Sequence, residues 1–598
     1  MQLSDIDSAN NLVELFLKRA DARRDQPFLG EKKGGGWQTR TWGEVAEQVC
    51  VLAEALRGLG LADGDRVALV SENRPEWCVA DLAIMAAGCV TVPAYITNTE
   101  RDHLHILDNS GARAVIVSTE KLSGPLLTAM MRSGIASHVI AIDGIRQFQG
   151  GQISCHMWPA LLQGDAAEAR RAVEARIGSI GRGDTACIIY TSGTGGAPRG
   201  VLQHHGAILC NVAGAAEVLE QDFGLEDDER FLSFLPLSHA YEHTGGQYLP
   251  IAVGAQIYYA EGLEKLASNI EETRPTIMVV VPRLFEVLRA RIMKLVEKQG
   301  KVPNYLMTRA LEIAGQPKRR LRDRPADFII EKLLRPKIRA RFGGRIKAMV
   351  SGGAPLNPEV GTFFEAMGLT MLQGYGQTEA GPVISCNRPK AGIKMDTVGP
   401  PLRGVEVRIA EDGEILVRGE LVMHGYWQNK AETDKALKDG WLHTGDIGHL
   451  DDRGRIVITD RKKDMIVNDK GDNIAPQKVE GMLTLQPEIA QAMVSGDKRP
   501  YLVGLIVPDA EWACEWAQAN GEKFDVKALQ GLPAFRNAVR EAVDRTNRDL
   551  SVVEKVRQFA FADEPFTTDT EELTPSLKIR RHKIKERYGA RMDALYKG

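Results

Sequence analysis

The chain of 598 residues has few of the features that mark several classes of protein. It contains eight cysteines, and no two of them form a C-x-x-C pair. Scattered thiols are typical of a reduced, cytosolic protein, and they argue against a disulfide framework or a cysteine zinc site. The formal net charge is only −3, which gives no reason to expect a nucleic-acid partner.

Signals for secretion and for membrane insertion are also missing. The N-terminus, MQLSDIDSANNLVELF, has no basic region followed by an apolar core, so it does not predict a secretory signal. The most membrane-like stretch, LAIMAAGCVTVPAYI at 82–96, is shorter than a full membrane span and contains Pro93. We interpret it as a buried helix followed by a buried strand, with peripheral membrane contact as the alternative. We therefore expect a cytoplasmic protein, and the inner membrane face is the alternative location.

A third absence concerns phosphate binding. The stretch YTSGTGGAPRG at 190–200 combines four glycines, a run of hydroxyls and one cation, Arg199. Glycines let backbone N–H groups approach an anion closely, so the stretch suits a polyphosphate. It lacks the Gly-Lys-Ser/Thr end of a P-loop, so a Walker-type NTPase is not supported. A plain surface turn is the alternative interpretation.

The fold class follows from alternating patterns. The composition, with 43% hydrophobic and 26% charged residues, is that of a globular protein, and the length predicts more than one domain. Strand-like runs such as DRVALVSE, ACIIYTS, TIMVVVP and IKAMVSGG alternate with helix-like stretches, which predicts α/β architecture. The pattern changes after about Arg461 to a smaller α+β region with a loop-like basic tail from Pro565. We expect an N-terminal domain over 1–460 and a C-terminal domain over 461–598.

Five further predicted loops have chemical character, and the first two of them follow a strand or an apolar run. They are SGGAPL at 351–356, QGYGQTEAGP at 373–382, HTGDIG at 443–448, DRKKDMIVNDKGDNIAP at 460–476 and ELTPSLKIRR at 572–581. Each alone is weak evidence. Open α/β sheets place their ligands at the carboxyl ends of strands, so loops in these positions are candidates for a shared site.

In this order, the motifs resemble the adenylate-forming (AMP-binding) superfamily over nearly the whole chain. Within it, LPLSHAYEH, VPRLFEVL and KIRARFGGRIKAMVSGGAPL are most similar to long-chain fatty acyl-CoA synthetases. The helical, basic segment at 301–345 resembles extra helices of that branch. The resemblance implies a large N-terminal domain of helix-flanked sheets and a smaller, mobile α+β C-terminal domain joined to it by a hinge.

The resemblance also implies a reaction in two halves. A carboxylate attacks the α-phosphate of ATP, giving acyl-AMP and pyrophosphate, and the thiol of coenzyme A then gives the thioester and AMP. Fatty acid, ATP and coenzyme A would be the small-molecule substrates, and Mg²⁺ the metal cofactor. The alternatives are an aryl or other carboxylic acid:CoA ligase, an acyl-AMP ligase that feeds a carrier protein, and a binding protein without turnover.

The resemblance carries a set of nucleotide-binding residues onto this chain. Asp446 would accept the ribose hydroxyls, and Tyr375 would stack on adenine, although such a tyrosine is otherwise typical of a core. The whole predicted set is Thr191, Ser192, Gly193, Thr194, Gly353, Ala354, Tyr375, Gly376, Asp446 and Arg461.

Four residues are predicted to be catalytic by the same resemblance. Lys578 would offset the charge on carboxylate and phosphate, although a lysine in a basic tail is otherwise ordinary. Thr378 would donate to the α-phosphate, and Glu379 would hold Mg²⁺, which binds through carboxylates, phosphates and waters. His239 would lie near the carboxylate pocket.

The predicted C-terminal domain contributes two more positions. Lys463 is expected to be the hinge, and Gly471 to lie on the loop that faces coenzyme A. The chain also departs from the family pattern at three places: Gly195 replaces the usual Thr, Arg199 the usual Lys, and His243 the usual Arg. Arginine keeps the charge of lysine but presents a planar fork.

Overall fold

The computed structural model describes residues 3–145, 153–191, 198–316, 320–462, 464–574 and 579–597. Along most of this length strands alternate with helices, so the predicted α/β class is confirmed. The domain division after residue 460 stays a prediction.

A largely parallel sheet contains the strand that leads into the YTSGTGGAPRG stretch. Its last strand, Arg199–His204, runs back antiparallel beside Thr185–Thr191 as a hairpin. In spatial order the strands are Ser154–Met157, His138–Ala141, Ala114–Val117, Arg66–Val70, Val90–Ala94, Thr185–Thr191 and Arg199–His204.

A second sheet carries the loops SGGAPL and QGYGQTEAGP. Its inner strands are parallel, and an antiparallel strand closes each edge. In spatial order the strands are Val383–Cys386, Met371–Gly376, Ala348–Ser351, Ile277–Val280, Arg230–Ser233, Gln256–Tyr259, Pro27–Lys33 and Gly36–Thr41. The parallel arrangement brings the carboxyl ends of neighbouring strands, and therefore their loops, to one edge.

A third sheet is antiparallel and carries the HTGDIG motif within a strand. It consists of Glu406–Ile409, Glu414–Arg418, Trp441–Leu450, Leu437–Lys438 and Ile456–Arg461. Asp446 and Arg461 are paired across two of these strands, so the motif and the start of DRKKD meet in this sheet.

Helices flank the sheets before residue 461, and their ends follow local capping rules. Thr41 and Glu44 form a reciprocal capping box at the start of Trp42–Gly58, and Gly111 ends Glu100–Ser110 in a left-handed conformation. The α-helices are Ser4–Ser8, Leu12–Ala22, Trp42–Gly58, Pro75–Ala86, Glu100–Ser110, Glu120–Ser133, Trp158–Leu161, Ala166–Ile177, His205–Phe223, Ala240–Glu242, Leu249–Val253, Leu266–Thr273, Pro282–Lys298, Lys301–Ala314, Arg324–Leu333, Arg335–Arg341, Pro358–Ala366 and Lys430–Ala436. A π-helix, His243–Tyr248, follows Ala240–Glu242 directly.

The remainder of the chain mixes strands and helices, as predicted. Its strands are Ile466–Val467, Asn473–Ile474, Ile489–Ser495, Leu502–Pro508 and Val556–Phe561, and its helices are Pro476–Leu483, Ala510–Ala519, Val526–Gln530, Pro533–Arg548 and Arg581–Ala594.

The last of these helices corrects the sequence prediction of a loop-like tail. Arg581–Ala594 is an α-helix whose buried residues are Ile584, Tyr588 and Met592. The spacing of four residues places these side chains on one face, which packs against the neighbouring strands. The many cations between them concealed this apolar face in the sequence.

The membrane-like stretch at 82–96 is a helix followed by a strand, as predicted. The helix Pro75–Ala86 is buried throughout, and so is the strand Val90–Ala94. Across the described parts of the chain, none of the helices combines the length and the apolar character needed to cross a bilayer.

Candidate active site

The loop after Met371–Gly376 is held in a tight turn at the edge of the second sheet. A Cβ atom on Gly376 would lie 1.9 Å from the carbonyl oxygen of Pro382, so only glycine fits there. The N–H of Gln377 donates to the same oxygen at 2.9 Å. The turn therefore fixes the start of Thr378–Ala380, a short 3₁₀ helix that contains two predicted catalytic residues.

Glu379 is connected to Arg199 through Tyr426. The Tyr426 hydroxyl donates to Oε1 of Glu379 at 2.7 Å, and the Arg199 guanidinium lies 4.4 Å from the centre of the Tyr426 ring. Arg199 also donates to Oε2 of Glu432 at 2.6 Å. Burial, and then the Glu379 carboxylate, raise the pKa of the Tyr426 hydroxyl well above its ordinary value, so this group stays a donor. The backbone oxygen of Thr378 accepts from Nε2 of Gln203 at 2.7 Å.

The predicted phosphate loop leaves and re-enters one hairpin. Thr191 ends its strand opposite Arg199, which begins the next, so the two residues border the loop. The Oγ1 atom of Thr191 is buried and has no hydrogen-bond partner in the described parts of the chain. Ser192, Gly193 and Thr194 lie outside the described residues, so their predicted contacts stay predictions.

Asp446 links two of the predicted nucleotide residues. Its Oδ2 accepts from the Tyr375 hydroxyl at 2.7 Å, and its Oδ1 accepts from Nε of Arg461 at 3.0 Å. Although burial works in the opposite direction, the Asp446 carboxylate raises the pKa of Arg461 above its ordinary value. Each carboxylate oxygen keeps a further lone pair, so Asp446 can still accept a hydroxyl. The Tyr375 ring is only 7% exposed, and its role in stacking stays a prediction.

The SGGAPL loop packs against Tyr241, a residue of the LPLSHAYEH motif. The Tyr241 hydroxyl donates to the backbone oxygen of Val350 at 2.8 Å. A Cβ atom on Gly352 would lie 2.7 Å from the Tyr241 ring, so the glycine permits this close approach. Gly353 has a positive φ of 81°, and Ala354 is exposed beside it. Ala354 is thus accessible from solvent, and the predicted role of this backbone beside adenine stays a prediction.

His239 and His243 have different environments. Nδ1 of His239 accepts from the backbone N–H of Tyr241 at 3.2 Å, which caps the short helix that follows. His243 is fully buried, and its Nε2 lies 2.9 Å from Oδ2 of Asp81. Burial alone would raise the pKa of Asp81, but the charge of His243 and its hydrogen bond lower it. Position 243, where the family resemblance predicts an arginine, thus holds a histidine that pairs with a buried acid.

A small, partly open apolar cavity of about 60 Å³ lies between the π-helix, the helix His205–Phe223 and the second sheet. Its lining side chains are almost entirely apolar: Asn211, Val212, Ala215, Val218, Leu219, Tyr241, Thr244, Gly245, Leu249, Ile277, Val279, Val350, Leu372, Val383, Cys386 and Leu402. Tyr241 connects this cavity to the SGGAPL loop. Thr244 connects it to the QGYGQTEAGP loop by donating to the Gly381 oxygen at 3.2 Å.

The C-terminal positions are only partly described. Gly471 has a φ of 86° in a turn that the Asn468 side chain stabilises by accepting from two backbone N–H groups. Lys463 and Lys578 lie outside the described residues, so the hinge and the catalytic lysine stay predictions. Just beyond Lys578, Arg581 forms a two-pronged ion pair with the buried Glu480.

Glu379 supplies the donor chemistry that Mg²⁺ requires. Its side chain is a partly exposed carboxylate at the edge where the predicted phosphate loop begins and ends. Within the described parts of the chain, no group of three or more His, Cys, Asp or Glu side chains is arranged to hold a metal ion. One carboxylate with substrate phosphates and waters is the usual mode for Mg²⁺, so the residues fit this ion.

Sequence reasoning missed several residues that form the site. Tyr426, Tyr241, Thr244 and Gly245 belong to no predicted set, although two of them follow His239 within five residues. The signal available for Tyr241 was its place in LPLSHAYEH. For Tyr426 the sequence offers no comparable signal, because its contact with Glu379 joins segments 47 positions apart.

Comparison with known proteins establishes the family. A family model described as AMP-binding enzyme matches residues 16–427, and one described as AMP-binding enzyme C-terminal domain matches residues 463–598. The chain therefore belongs to the AMP-binding enzyme family, as its motifs predicted.

The similar curated proteins support the predicted branch. A long-chain-fatty-acid–CoA ligase, FadD15 of Mycobacterium bovis, is 33% identical over 94% of this chain and 93% of its own length. The peroxisomal long chain acyl-CoA synthetase 6 of Arabidopsis thaliana is 30% identical over 96% of this chain and 84% of its own length. The resemblance to long-chain fatty acyl-CoA synthetases is thereby confirmed.

Solved structures confirm the fold. The adenylation domain of a carboxylate reductase from Mycobacterium chelonae superposes with a TM-score of 0.78, at 21% identity over 100% of this chain and 93% of that one. The o-succinylbenzoate CoA synthetase of Bacillus subtilis, solved with ATP and magnesium, gives a TM-score of 0.67, at 20% identity over 96% of this chain and 99% of that one.

Proposed function

We propose that this chain joins a fatty acid to coenzyme A with ATP, through acyl-AMP and pyrophosphate. The observation that supports a fatty acid is the small apolar cavity, which is connected to both nucleotide loops through Tyr241 and Thr244 and which could hold only part of an alkyl chain as it stands. An alkyl chain in this cavity would leave its carboxylate at the end where the loops SGGAPL and QGYGQTEAGP meet. The names of the curated relatives point to the same substrate class.

In the first half-reaction, a carboxylate oxygen attacks the α-phosphorus of ATP. The bond from the α-phosphorus to the bridging oxygen breaks, and pyrophosphate leaves with that oxygen. Thr378 donates to the α-phosphate, and Lys578 offsets the two anions as they meet. A magnesium ion held by Glu379 would neutralise phosphate charge. Arg199 and Thr191 border the phosphate loop, and we assign them to the β- and γ-phosphates.

In the second half-reaction, the coenzyme A thiol loses its proton and attacks the acyl carbon, and AMP leaves. This step needs an open path for the thiol where the first step needed a cation. A hinge between two domains meets both needs. We place this hinge at Lys463, and we place Gly471 on the loop that enters for the second step.

A screen for pyrophosphate release tests the substrate class. Purified protein is given ATP, Mg²⁺ and saturated acids of increasing chain length, with hydroxycinnamates as the aryl alternative. We expect the highest kcat/KM with a medium- or long-chain fatty acid, and thioester only when coenzyme A is present. A higher kcat/KM with an aryl acid than with any fatty acid would identify aryl acids as the substrate class. Acyl-AMP that never reacts with coenzyme A would instead indicate a ligase for a carrier protein.

The two half-reactions are separable by mutation. Lys578→Ala is expected to abolish formation of acyl-AMP but to convert supplied acyl-AMP and coenzyme A to thioester. Lys463→Pro fixes the backbone at the hinge, and it is expected to keep adenylation and lose thioester formation. Lys585→Ala, which changes an exposed lysine of the helix Arg581–Ala594, is the control and should keep both half-reactions. Equal loss of both half-reactions in the first two variants would contradict the alternating arrangement.

A further inference from the structure

Both ends of the predicted phosphate loop contact one helix. Tyr190 precedes the loop in the chain, and Pro198 follows it. The Tyr190 hydroxyl donates to Oδ1 of Asn109 at 2.6 Å. At the other end, Nε2 of His105 lies 2.8 Å from the carbonyl oxygen of Pro198. His105 and Asn109 both belong to the helix Glu100–Ser110, so this helix bridges the two ends of the loop.

The helix is a firm support for these contacts. Thr99 and Asp102 form a reciprocal capping box at its start, and the helix is buried along its other face. His105 and Asn109 are four residues apart, so their side chains leave the helix on the same face. The backbone oxygen of Asn109 also accepts from the Trp427 indole at 2.9 Å, which ties the helix to a distant segment of the chain.

The direction of each hydrogen bond is fixed by its atoms. A carbonyl oxygen only accepts, so Nε2 of His105 carries the proton in the contact with Pro198. The neutral tautomer with this proton and the imidazolium form both donate, so the bond does not depend on the charge of the ring. Burial raises the pKa of the Tyr190 hydroxyl well above its ordinary value, so this group also stays a donor.

The His105 bond acts on the loop side of the hairpin. The last residues paired in the hairpin are Thr191 and Arg199, so Pro198 lies one position further into the loop. Because a peptide unit is planar, fixing the Pro198 oxygen also fixes the N–H of Arg199. The Arg199 side chain extends from this point to the Tyr426 ring. His105 therefore orients the backbone from which the cation of the loop departs.

We propose that His105 and Asn109 are positioning residues that hold the two ends of the loop ready for the β- and γ-phosphates of ATP. The loop sequence SGTGGA at 192–197 contains three glycines, which lose more conformational freedom on ordering than other residues. When both ends are fixed by one helix, less of this freedom remains to be lost on binding, so the nucleotide binds more tightly. This inference rests on the proposed assignment of the loop to the phosphates.

Nucleotide binding in the absence of an acid tests the inference. Calorimetry on the full-length protein gives dissociation constants for ATP with Mg²⁺ and for AMP, which lacks the phosphates that the loop would hold. His105→Leu removes the donor, and we expect it to weaken ATP binding about fivefold, the effect of one lost hydrogen bond, without changing AMP binding. His105→Gln keeps an N–H donor at a similar reach and should bind ATP nearly as the unaltered protein does.

A histidine elsewhere in the same sheet provides the matched control. His138→Leu removes a ring contact of 3.1 Å with His156, near the edge of the sheet opposite the hairpin. Both dissociation constants should stay unchanged in this variant. Unchanged AMP binding in every variant also shows that the protein is folded.

The other end of the loop is tested by Tyr190→Phe, which removes the bond to Asn109 and should also weaken ATP binding. A loop released at one end gains little from the remaining bond, so the double variant with His105→Leu should lose less than the product of the two single losses. Unchanged ATP binding in His105→Leu, equal weakening of ATP and AMP, an equal loss in His105→Gln, or losses that multiply would overturn the inference. A screen that favours aryl acids would overturn only the proposed substrate class, since no acid takes part in this measurement.

Discussion

The hydroxyl of Tyr426 donates a hydrogen bond to Oε1 of Glu379 across 2.7 Å. The same ring carries the Arg199 guanidinium on its face, at 4.4 Å from the ring centre. One tyrosine thus positions the carboxylate predicted to hold Mg²⁺ and the cation that borders the phosphate loop. Its two contacts use different atoms, so mutation can remove one and keep the other.

Tyr426→Phe is predicted to slow adenylation by about tenfold, since a hydrogen bond to a charged group contributes roughly 1.5–3 kcal/mol. The ring that contacts Arg199 remains, so the loss reports on Glu379. We also expect a higher Mg²⁺ concentration for half-maximal pyrophosphate release. Tyr258→Phe, which removes a hydroxyl bonded to Gln256, is the control. Identical Mg²⁺ titrations for the two variants would show that the Tyr426 hydroxyl does not affect Mg²⁺ use.

Glu242 provides a prediction about pH. It is fully buried, its Oε1 accepts from Ser233, and burial raises its pKa from 4.5 to about 8. A carboxyl whose pKa is raised by folding binds its proton more tightly in the folded state. Protonated Glu242 therefore makes its full contribution to the free energy of unfolding below about pH 4.5, and this contribution is lost as the pH rises to about 8.

Glu242→Gln keeps the neutral shape and removes the titration. The variant is expected to match the unaltered protein at low pH and to exceed its stability above pH 8, by on the order of a few kcal/mol. Melting temperatures measured across this range would show the two curves separating as the pH rises. The exposed Glu264→Gln is the control, and its curve should stay parallel to that of the unaltered protein. If the curve of melting temperature against pH for Glu242→Gln also stays parallel to that of the unaltered protein, Glu242 is not protonated in the folded state.

Asp81 and His243 form a buried pair whose coupling can be measured. Breaking such a pair leaves one polar group without its partner, which costs roughly 3–5 kcal/mol, whereas removing both costs less than the sum. We expect Asp81→Asn and His243→Gln each to lower the free energy of unfolding, and the double variant to be non-additive. The exposed ion pair of Lys430 and Asp434 serves as the control double-mutant cycle. We expect its coupling free energy to be about 0.3–0.5 kcal/mol. Additive losses at Asp81 and His243 would contradict the pairing.

Most of the fold of this molecule could be predicted from its sequence, but only part of its candidate active site could. Buried strands such as Ile277–Val280 and Ala348–Ser351 were predictable because β-branched runs end in turn residues, and local chain chemistry decides that pattern. The helix Arg581–Ala594 was not, because three apolar positions among many cations become meaningful only against a neighbouring sheet.

The same limit applies to the site. Glu379 and Asp446 lie in short motifs with their chemistry visible in the sequence. The contact of Tyr241 with Val350 spans 109 positions, and it exists only because Gly352 lets the ring approach. Such contacts depend on the packing of distant segments, which residue order alone does not specify.

Gly245 is predicted to set the space available to the acyl chain of the proposed substrate. It lines the apolar cavity on the π-helix, and a Cβ atom there would lie 3.2 Å from a methyl group of Val279. Gly245→Ala therefore narrows the cavity between helix and sheet, and crowding of this kind costs roughly 1–3 kcal/mol. We expect kcat/KM to fall about tenfold for the longest acid accepted and little for a short one.

Val279→Ala removes the methyl groups that the new side chain would meet, so the double variant should recover the long acid. Gly589→Ala, where an added methyl group meets nothing within 4 Å, is the matched control and should leave the chain-length profile unchanged. The measurement is the kcat/KM ratio of long to short acid in the pyrophosphate assay. A ratio that stays constant in Gly245→Ala, or that Val279→Ala fails to restore, would mean that the acyl chain lies elsewhere. The fatty acid ligase activity itself could still stand, because the screen over acids tests it separately.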